Sequence, residues 1–349
     1  MFCPIRIASL LLLILSSAGV VAQKKSPVEW VRPSHNNEVP IWGIKNGIVF
    51  GLSPTDLELG KVGPNGGPRG LIRIGYRFQD KTYLINFLAI EPIVKGQLTL
   101  SELAISKTDN QQGMVFWSAD SITTTAIPSA PPALGKVIRN GKSEILSVIV
   151  RTERFSNGAH PYLKISINSA MPNEIGIEVL NEADSEPMQQ CTITATMGNY
   201  GRLRLLALKD EVIDSRKLYS GFPDNNFVEK HEYSYNQLKV DKHGDLIAIA
   251  SQNESLTELK SWPNEERYLA YRGWAYRLPV KLDQYWRKPG RHFDPSLRLR
   301  VNGRLKYWAG NANDPAMYID IPGGLAFENF ELRERYYPGQ QFFYGLIVK

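Results

Sequence analysis

The feature that most constrains this chain is the alternation of apolar and polar residues, which recurs along most of its length. Runs such as HPYLKISIN (160–168) and SLRLRVNG (296–303) place an apolar residue at every second position, the period of a strand with one buried face. Gly, Pro, Asn and Asp separate these runs, and no heptad or long helical period occurs. The pattern predicts an all-β chain, a large antiparallel β-sandwich of about fifteen strands with little helix.

The predicted strands share this alternation and are bounded by turn residues. They are 41–52, 70–78, 82–90, 96–105, 144–155, 160–168, 174–180, 191–200, 229–240, 245–251, 266–282, 296–303, 316–321, 325–334 and 340–348. At most one or two short helices are expected, around 210–215 or 283–288. We expect a single large domain, 23–349, and the alternative is a boundary between two sandwiches near the Pro-rich stretch 128–135.

Residues 1–22 have the pattern of a cleavable secretory signal. Arg6 precedes an apolar run, and Val20, Val21 and Ala22 offer small residues for cleavage after Ala22. The apolar run is shorter than the roughly 20 residues that a spanning helix needs, and no other segment is apolar enough. We therefore expect a secreted or periplasmic protein with no transmembrane segment in the mature chain; a retained N-terminal anchor is the alternative.

Cysteine and histidine usage argues against a disulfide framework and a metal site. Only Cys191 follows the signal segment, so the mature chain has no internal disulfide. It lies in the alternating run QQCTITATM, which predicts a buried strand residue with an inert thiol. The five histidines form no H-x-H or HExxH motif. No metal or cofactor is predicted, and the fold must depend on its hydrophobic core.

The positive charge of the chain is unevenly distributed. The formal charge is +6, and twelve Lys and Arg face four Asp and Glu within residues 260–306. Trp and Tyr residues interleave with these cations, and we assign Arg272, Trp274 and Tyr276 to substrate binding. Because aromatic faces stack on sugars and cations attract acidic groups, the region predicts an acidic glycan partner. Export argues against nucleic acid; a solvated basic face and a Trp-rich core are the alternatives.

A glycine-dense loop, GPNGGPRGLIRIGY (63–76), raises the question of a phosphate site. Phosphate loops lead into a helix whose N-terminal amides hold the anion, whereas LIRIGYRF alternates like a strand. This context excludes the nucleotide interpretation. Two interpretations are left: a hairpin or edge connection, and a glycan-contacting loop with Arg69 at its exit.

Two stretches carry residues suited to β-elimination from a uronate. TMGNYGRLRLLAL offers Tyr200 as a proton carrier and Asn199 to neutralise charge, and its Arg202 and Arg204, two apart on a strand, would lie on one face. FSNGAHPYLKI places His160 at the start of a strand. In a lyase, His160 or Tyr200 would remove the proton beside the carboxylate, while Asn199, Arg202 or Arg204 neutralises that carboxylate. Ordinary turn and capping roles are the alternatives.

Two glutamates are candidates for hydrolysis instead. Glu91 lies in NFLAIEPIV, and apolar surroundings raise the pKa of a carboxyl group, as a general acid requires. Glu328 in LAFENFELRE is the second carboxylate to test, because glycoside hydrolases use two. The alternative for Glu91 is an ion pair with an arginine of a neighbouring strand. No G-x-S-x-G motif supports a serine hydrolase.

The signal segment, the many strands and the stretches INFLAIEP, TATMGNYGRLRLL and IPGGLAFENFELRE together resemble secreted bacterial β-sandwich proteins of carbohydrate-processing type. The architecture is similar to the galactose-mutarotase-like supersandwich of many polysaccharide lyases and glycoside hydrolases. The resemblance covers most of the mature chain at the level of pattern, and no catalytic motif matches residue by residue. It implies a protein that acts on an acidic polysaccharide, as a lyase or as a hydrolase. A non-catalytic glycan-binding or cell-envelope protein is the alternative.

Overall fold

The computed structural model describes residues 28–34, 39–52, 69–123, 127–128, 130–196, 202–222, 230–253, 274–275, 279–308, 318–321 and 323–349. Residues 1–22, which carry the predicted signal, lie outside this set. So do four of the predicted site residues, Asn199, Tyr200, Arg272 and Tyr276.

The described chain consists mainly of β-strands. In chain order they are β1 (Trp30–Val31), β2 (Ile41–Ile44), β3 (Ile48–Gly51), β4 (Leu71–Phe78), β5 (Lys81–Val94), β6 (Gln97–Leu98), β7 (Phe116–Ala119), β8 (Lys136–Asn140), β9 (Ser143–Thr152), β10 (Pro161–Asn168), β11 (Glu174–Asn181), β12 (Gln190–Thr196), β13 (Leu205–Ala207), β14 (Val212–Asp214), β15 (His231–Ser234), β16 (Lys239–Val240), β17 (Leu246–Ser251), β18 (Trp274–Ala275), β19 (Leu282–Lys288), β20 (Arg298–Arg304), β21 (Lys306–Trp308), β22 (Tyr318–Asp320), β23 (Ala326–Arg333) and β24 (Gln340–Val348). Helical structure in the same ranges is limited to α1 (Ser215–Leu218) and a 3₁₀ turn at Tyr235–Gln237. Among these described residues, no helix has the length and apolar character to cross a membrane.

Two large sheets form a sandwich, which confirms the predicted fold class. Sheet I has the order β1-β2-β3-β4-β5-β12-β23-β20-β15, with β6 and β18 attached to β5. Sheet II has the order β14-β13-β17-β19-β24-β11-β10-β9-β7, with β16 attached to β17 and β8 to β9. The strand pairs of both sheets are antiparallel, except that β18 runs parallel to β5. A separate hairpin pairs β21 with β22.

The alternation in the sequence determines which side chains enter the core. On β10, Leu163, Ile165 and Ile167 point inward and are fully buried, whereas the residues between them are partly or wholly exposed. Inward side chains of both sheets belong to one hydrophobic cluster, which also contains residues from both sides of 128–135. The Trp286 Nε1 group on β19 donates a hydrogen bond of 2.7 Å to the Phe330 carbonyl on β23, which ties sheet II to sheet I.

The stretch 283–288 is a central strand of sheet II, so the helix considered there is wrong. Its alternation is concealed because two inward positions of β19 are polar. Gln284 accepts a hydrogen bond of 2.7 Å from Asn86 Nδ2, and Lys288 forms a fully buried ion pair with Glu334. Polar residues at core positions are stable when they find such partners, but their pattern resembles that of a loop or a polar helix.

The outward faces of the two sheets differ in their contact with solvent. The strands of sheet II alternate between buried and accessible residues, as on β10. On β4 and β5 of sheet I, by contrast, successive residues are buried on both faces. Sheet I is therefore covered on both sides, and polar side chains on its outward face lie in the interior of the protein.

Candidate functional site

A buried layer of charged and hydroxyl side chains covers part of the outward face of sheet I. We define the polar layer as Glu91, Thr194, Arg300 and Glu331, all of them buried. Charged side chains are seldom buried without partners. The layer is therefore the feature of the described fold that most needs a chemical explanation.

Strand register brings the members of the polar layer together. Thr194 on β12 lies opposite Ala89 of β5, and Arg300 on β20 lies opposite Glu331 of β23. The Thr194 hydroxyl donates to the Glu331 carboxylate, which joins β12 to β23 above the backbone ladder. Glu91 lies two residues beyond Ala89 on β5, so it shares the outward face of this row.

One guanidinium contacts both carboxyl groups of the layer. Arg300 Nη2 lies 3.1 Å from Glu91 Oε2, and Arg300 Nε is paired with Glu331. The side chain of Glu331 has no exposed surface, whereas 5% of the Glu91 side chain and 10% of the Arg300 side chain are exposed. A ligand that reached this face would therefore meet Glu91 and Arg300 before Glu331.

The pKa of Glu91 is shifted by its surroundings. Burial, followed by the negative charges of Glu331 and Glu102, raises the pKa of Glu91 to about 8, although Arg300 and Thr194 act in the opposite direction. Glu331 accepts a hydrogen bond from Thr194 and forms an ion pair with Arg300. Burial also raises the pKa of nearby Glu102 to about 7. Glu91 therefore holds its proton up to a higher pH than an ordinary glutamate does, next to the contact of Arg300 with Glu331.

The sequence predicted Glu91 and Glu328 as the two carboxyl groups of a hydrolase site. The structure shows the contact of Glu91 with an arginine, which was the alternative, although that arginine lies three strands away in sheet I. Glu328 is buried on β23 and is the extra residue of a bulge, because Asn302 pairs with Asn329 and Gly303 with Phe327. The carboxylate that shares Arg300 with Glu91 is therefore Glu331.

The described residues of the predicted lyase site are not brought together. His160 immediately precedes β10, and Arg204 immediately precedes β13, five strands away in sheet II. At about 4.8 Å per strand, the separation across the sheet is about 24 Å. Both His160 ring nitrogens are also engaged, Nδ1 with Asp184 Oδ1 at 2.6 Å and Nε2 with the Thr152 carbonyl at 3.2 Å.

Arg202 and Arg204 do not form the predicted pair on one strand face. The segment 202–204 is not a strand, and Arg202 has a positive φ of 45°, so the two-residue alternation does not apply. Both side chains are buried. Arg204 donates to the carbonyls of Leu325 and Gly324, at 3.2 and 3.1 Å, which is a structural use of its guanidinium.

Two predicted substrate-binding residues are also engaged within the protein. Arg69 is buried and binds both oxygens of Asp109, at 2.7 and 3.2 Å. The buried ring of Trp274 lies against Gly51 and Gly75, where an added Cβ would come within 2.7 and 2.5 Å of ring atoms. Arg69 thus fixes the loop that carries Asp109, and Trp274 packs on sheet I.

Arg300 and Thr194 were missed as site residues in the sequence, and Glu328 was chosen rather than Glu331 from the run LAFENFELRE. The signal was present in the runs CTITAT and RLRVNGR, where polar residues occupy every second position opposite the apolar ones. Such positions are normally assigned to solvent. Only the burial of both faces of sheet I shows that these side chains belong to the interior.

Within the described ranges, no group of three His, Cys, Asp or Glu residues is arranged to hold a metal ion. No family model matches the chain, and no curated protein is significantly similar to it. The polar layer is therefore the feature of the described residues that bears on function.

Proposed function

We propose that this protein is an exported carbohydrate-active enzyme that hydrolyses an acidic polysaccharide at the polar layer of sheet I, with Glu91 as the general acid. The observation that carries the proposal is that one guanidinium, that of Arg300, contacts two carboxyl groups in different environments. Such a pair supplies the two protonation states that glycoside cleavage needs.

The chemistry assigns a different role to each carboxyl group. Glu91, whose pKa is raised to about 8 by burial, donates its proton to the glycosidic oxygen as the bond from that oxygen to the anomeric carbon breaks. The negative charge of Glu331 stabilises the positive charge that develops on the sugar. Water then adds to the anomeric carbon, and the proton it releases returns to Glu91.

Charge supports an acidic substrate, and sequence supports export. Arg300 has the largest exposed fraction of the three central side chains, so it is placed to attract a carboxylate or sulfate group. The chain as a whole carries a formal charge of +6. The pattern of residues 1–22 supports secretion.

Two observations favour hydrolysis over elimination. His160, one of the two residues proposed to remove the proton in a lyase, lies five strands from Arg204 in sheet II and is held by Asp184. The other, Tyr200, lies outside the described residues. Glu91, in contrast, is a proton donor beside a cation. A donor of this kind suits protonation of a leaving group rather than removal of a carbon-bound proton.

The test is an assay of residues 23–349 on polygalacturonate, alginate and hyaluronate, in which reducing ends and unsaturated-uronate absorbance are followed in parallel. We expect new reducing ends without a rise in absorbance. Glu91→Gln should lower kcat by about 100-fold or more, and kcat of the wild type should fall above pH 8 as Glu91 loses its proton. Glu29→Gln, at a side chain that is 67% exposed and paired with Lys45, is the matched control and should retain activity.

Three results would contradict the proposal. They are the absence of any product, product formation that survives Glu91→Gln, and a rise in unsaturated-uronate absorbance, which would indicate elimination. Circular dichroism of each variant must show the native spectrum. Because glutamine is similar in shape to the protonated carboxyl, Glu91→Gln should fold normally.

A further inference from the structure

The outward face of sheet II carries a groove of about 190 Å³ that the polar layer does not use. Its floor is a row of small residues from three adjacent strands. Ser147 on β9 lies opposite Ser166 on β10, which in turn lies opposite Gly176 on β11. Larger side chains occupy the neighbouring rows, so this row is a depression that runs across the strands.

An aromatic ring bounds one end of this groove. Phe343 on β24 follows Gly176 in the same row. A Cβ added to Gly176 would lie 3.0 Å from both Phe343 Cε1 and Ser166 Oγ, so the absence of a side chain there makes room for the ring. Arg287 lies 4.0 Å from the ring centroid of Phe343 and is held by Glu174 and Asp245. The ring is therefore fixed in place before any ligand binds.

The remaining lining combines apolar and polar groups and has no net charge. Ile138 and Ile145 lie opposite each other on β8 and β9 and form the apolar end. Lys164 and Glu178 are paired at 3.4 Å along one side, where Gln341 adds an amide. The charges of Lys164 and Glu178 cancel, and the other lining residues are neutral.

We infer that this groove binds pyranose units of a neutral polysaccharide. A pyranose ring has an apolar C–H face and a rim of hydroxyl groups. Phe343 and Ile145 offer surface for the C–H face. The serine hydroxyls, with Lys164, Glu178 and Gln341, supply donors and acceptors for the rim.

Strand pairing argues against an extended peptide as the occupant. Peptides that add to a sheet do so at an edge, where backbone groups are unpaired. β9, β10 and β11 each pair with strands on both sides, so their backbone groups are used in the ladders. Recognition in this groove must come from side chains, which suits a hydroxyl-rich ligand.

This inference goes beyond the proposed cleavage of an acidic polysaccharide, because it concerns another sheet and a ligand of different charge. A neutral-glycan site on sheet II would anchor the protein to a composite material, while the polar layer of sheet I acts on the acidic component. The two sites can be tested separately, since binding to a neutral polysaccharide requires no catalysis.

The experiment is native affinity electrophoresis of residues 23–349 in gels that contain hydroxyethylcellulose, xylan or galactomannan, with polygalacturonate as the acidic counterpart. We expect retardation in at least one neutral gel. Phe343→Leu, which keeps the apolar volume but removes the ring, and Ser147→Leu, which fills the floor, should each weaken binding by about tenfold. Ile347→Ala, at an exposed position on the same strand and face, is the matched control and should bind as the wild type does.

The inference is overturned if no neutral gel retards the protein. It is also overturned if both Phe343→Leu and Ser147→Leu bind normally. A third contrary result would be that an unfolded protein, reduced and carboxymethylated and used as a source of extended peptide, binds in the groove when the polysaccharides do not. Glu91→Gln should keep its retardation in neutral gels while losing hydrolysis, which separates this site from the catalytic proposal. Ser147 lies at a partly accessible position, so Ser147→Leu tests the groove even where Phe343→Leu fails to fold.

Discussion

Arg300 on β20 reaches Glu91 on β5 across two intervening strands, with 3.1 Å between Nη2 and Oε2. The same guanidinium pairs with Glu331 on the adjacent strand. One cation cannot neutralise two ionised acids, and an unbalanced charge in the interior is costly. The proton that stays on Glu91 restores the balance, and it links the stability of the fold to pH.

The first prediction concerns stability between pH 5 and pH 8. The pKa of Glu91 is raised to about 8 and that of Glu102 to about 7, so the folded protein holds protons that the unfolded chain has already released above pH 4.5. The free energy of unfolding is therefore greatest below that pH range and should fall as pH rises through it, by up to ~1.4 kcal/mol per pH unit for each group. Urea unfolding at a series of pH values measures this slope.

Glu91→Gln provides the control for this slope. The amide cannot ionise, so the variant should lose less stability between pH 5 and pH 8 than the wild type does. Below pH 4 a different set of groups dominates. A hydrogen bond with His160 holds the pKa of Asp184 below its usual value, and hydrogen bonds with Ser296 do the same for Asp294. The stability that these two carboxylates contribute is lost on acidification. A pH profile that is flat, or identical in Glu91→Gln, would refute the assignment.

The second prediction compares two arginines that form ion pairs on sheet I. Arg300→Met leaves the buried carboxylate of Glu331 without its cation, which should cost ~3–5 kcal/mol in the free energy of unfolding. Arg333→Met removes a partner of Glu232 at 3.3 Å, where the side chains are 25% and 44% exposed, and should cost less than ~1 kcal/mol. Chemical denaturation of both variants gives the comparison.

Equal losses in Arg300→Met and Arg333→Met would contradict the central position of Arg300. A double variant, Arg300→Met with Glu331→Gln, tests the mechanism further. Since it removes the charge that Arg300→Met leaves unpaired, it should be more stable than Arg300→Met alone.

The third prediction concerns Gly70, which connects the glycine-dense loop to β4. Its φ is +70°, and an added Cβ would lie 2.2 Å from the Ser101 carbonyl oxygen. Gly70→Ala should therefore cost ~3 kcal/mol or more, since backbone strain and a steric clash combine. Gly141→Ala is the matched control, because Gly141 has a φ of +59° with nothing within 4 Å of its added Cβ, and it should cost only ~1 kcal/mol. Similar thermal shifts in the two variants would show that the contact with Ser101 is unimportant.

The sequence predicted β10 well because its inward residues are apolar and most of its outward residues are polar. The predicted strand 96–105, in contrast, contains only β6, and most of 266–282 lies outside the described residues. On β10 the alternation alone places the core residues Leu163, Ile165 and Ile167. It failed at β19, where Gln284 and Lys288 take inward positions, since the partners Asn86 and Glu334 come from distant parts of the chain. Local periodicity cannot predict pairings between residues that are distant in the sequence.

The candidate site, too, could be predicted from the sequence only in part. The apolar neighbours of Glu91 predicted its burial and its raised pKa, and both are found. Its partner in the layer is Glu331 rather than Glu328, because Glu331 lies opposite Arg300 on the outward face, whereas Glu328 is the extra residue of a bulge opposite Asn302 and Gly303. Arg300 was missed because its contact with Glu91 joins residues 209 positions apart. Register and bulges depend on the assembled sheet, so they cannot be derived from alternation.

The last prediction concerns the thiol of Cys191 on β12. Burial raises its pKa far above the usual value, so the thiol stays protonated and out of contact with solvent. A chain of residues 23–349 has no other cysteine and should show no thiol reactive toward Ellman's reagent under native conditions, but one after unfolding in urea. The labelling rate should rise with urea along the same curve as the loss of circular dichroism, because access requires the two sheets to separate. Rapid stoichiometric labelling without urea would show instead that the interior of sheet I near Glu91 opens in the native state.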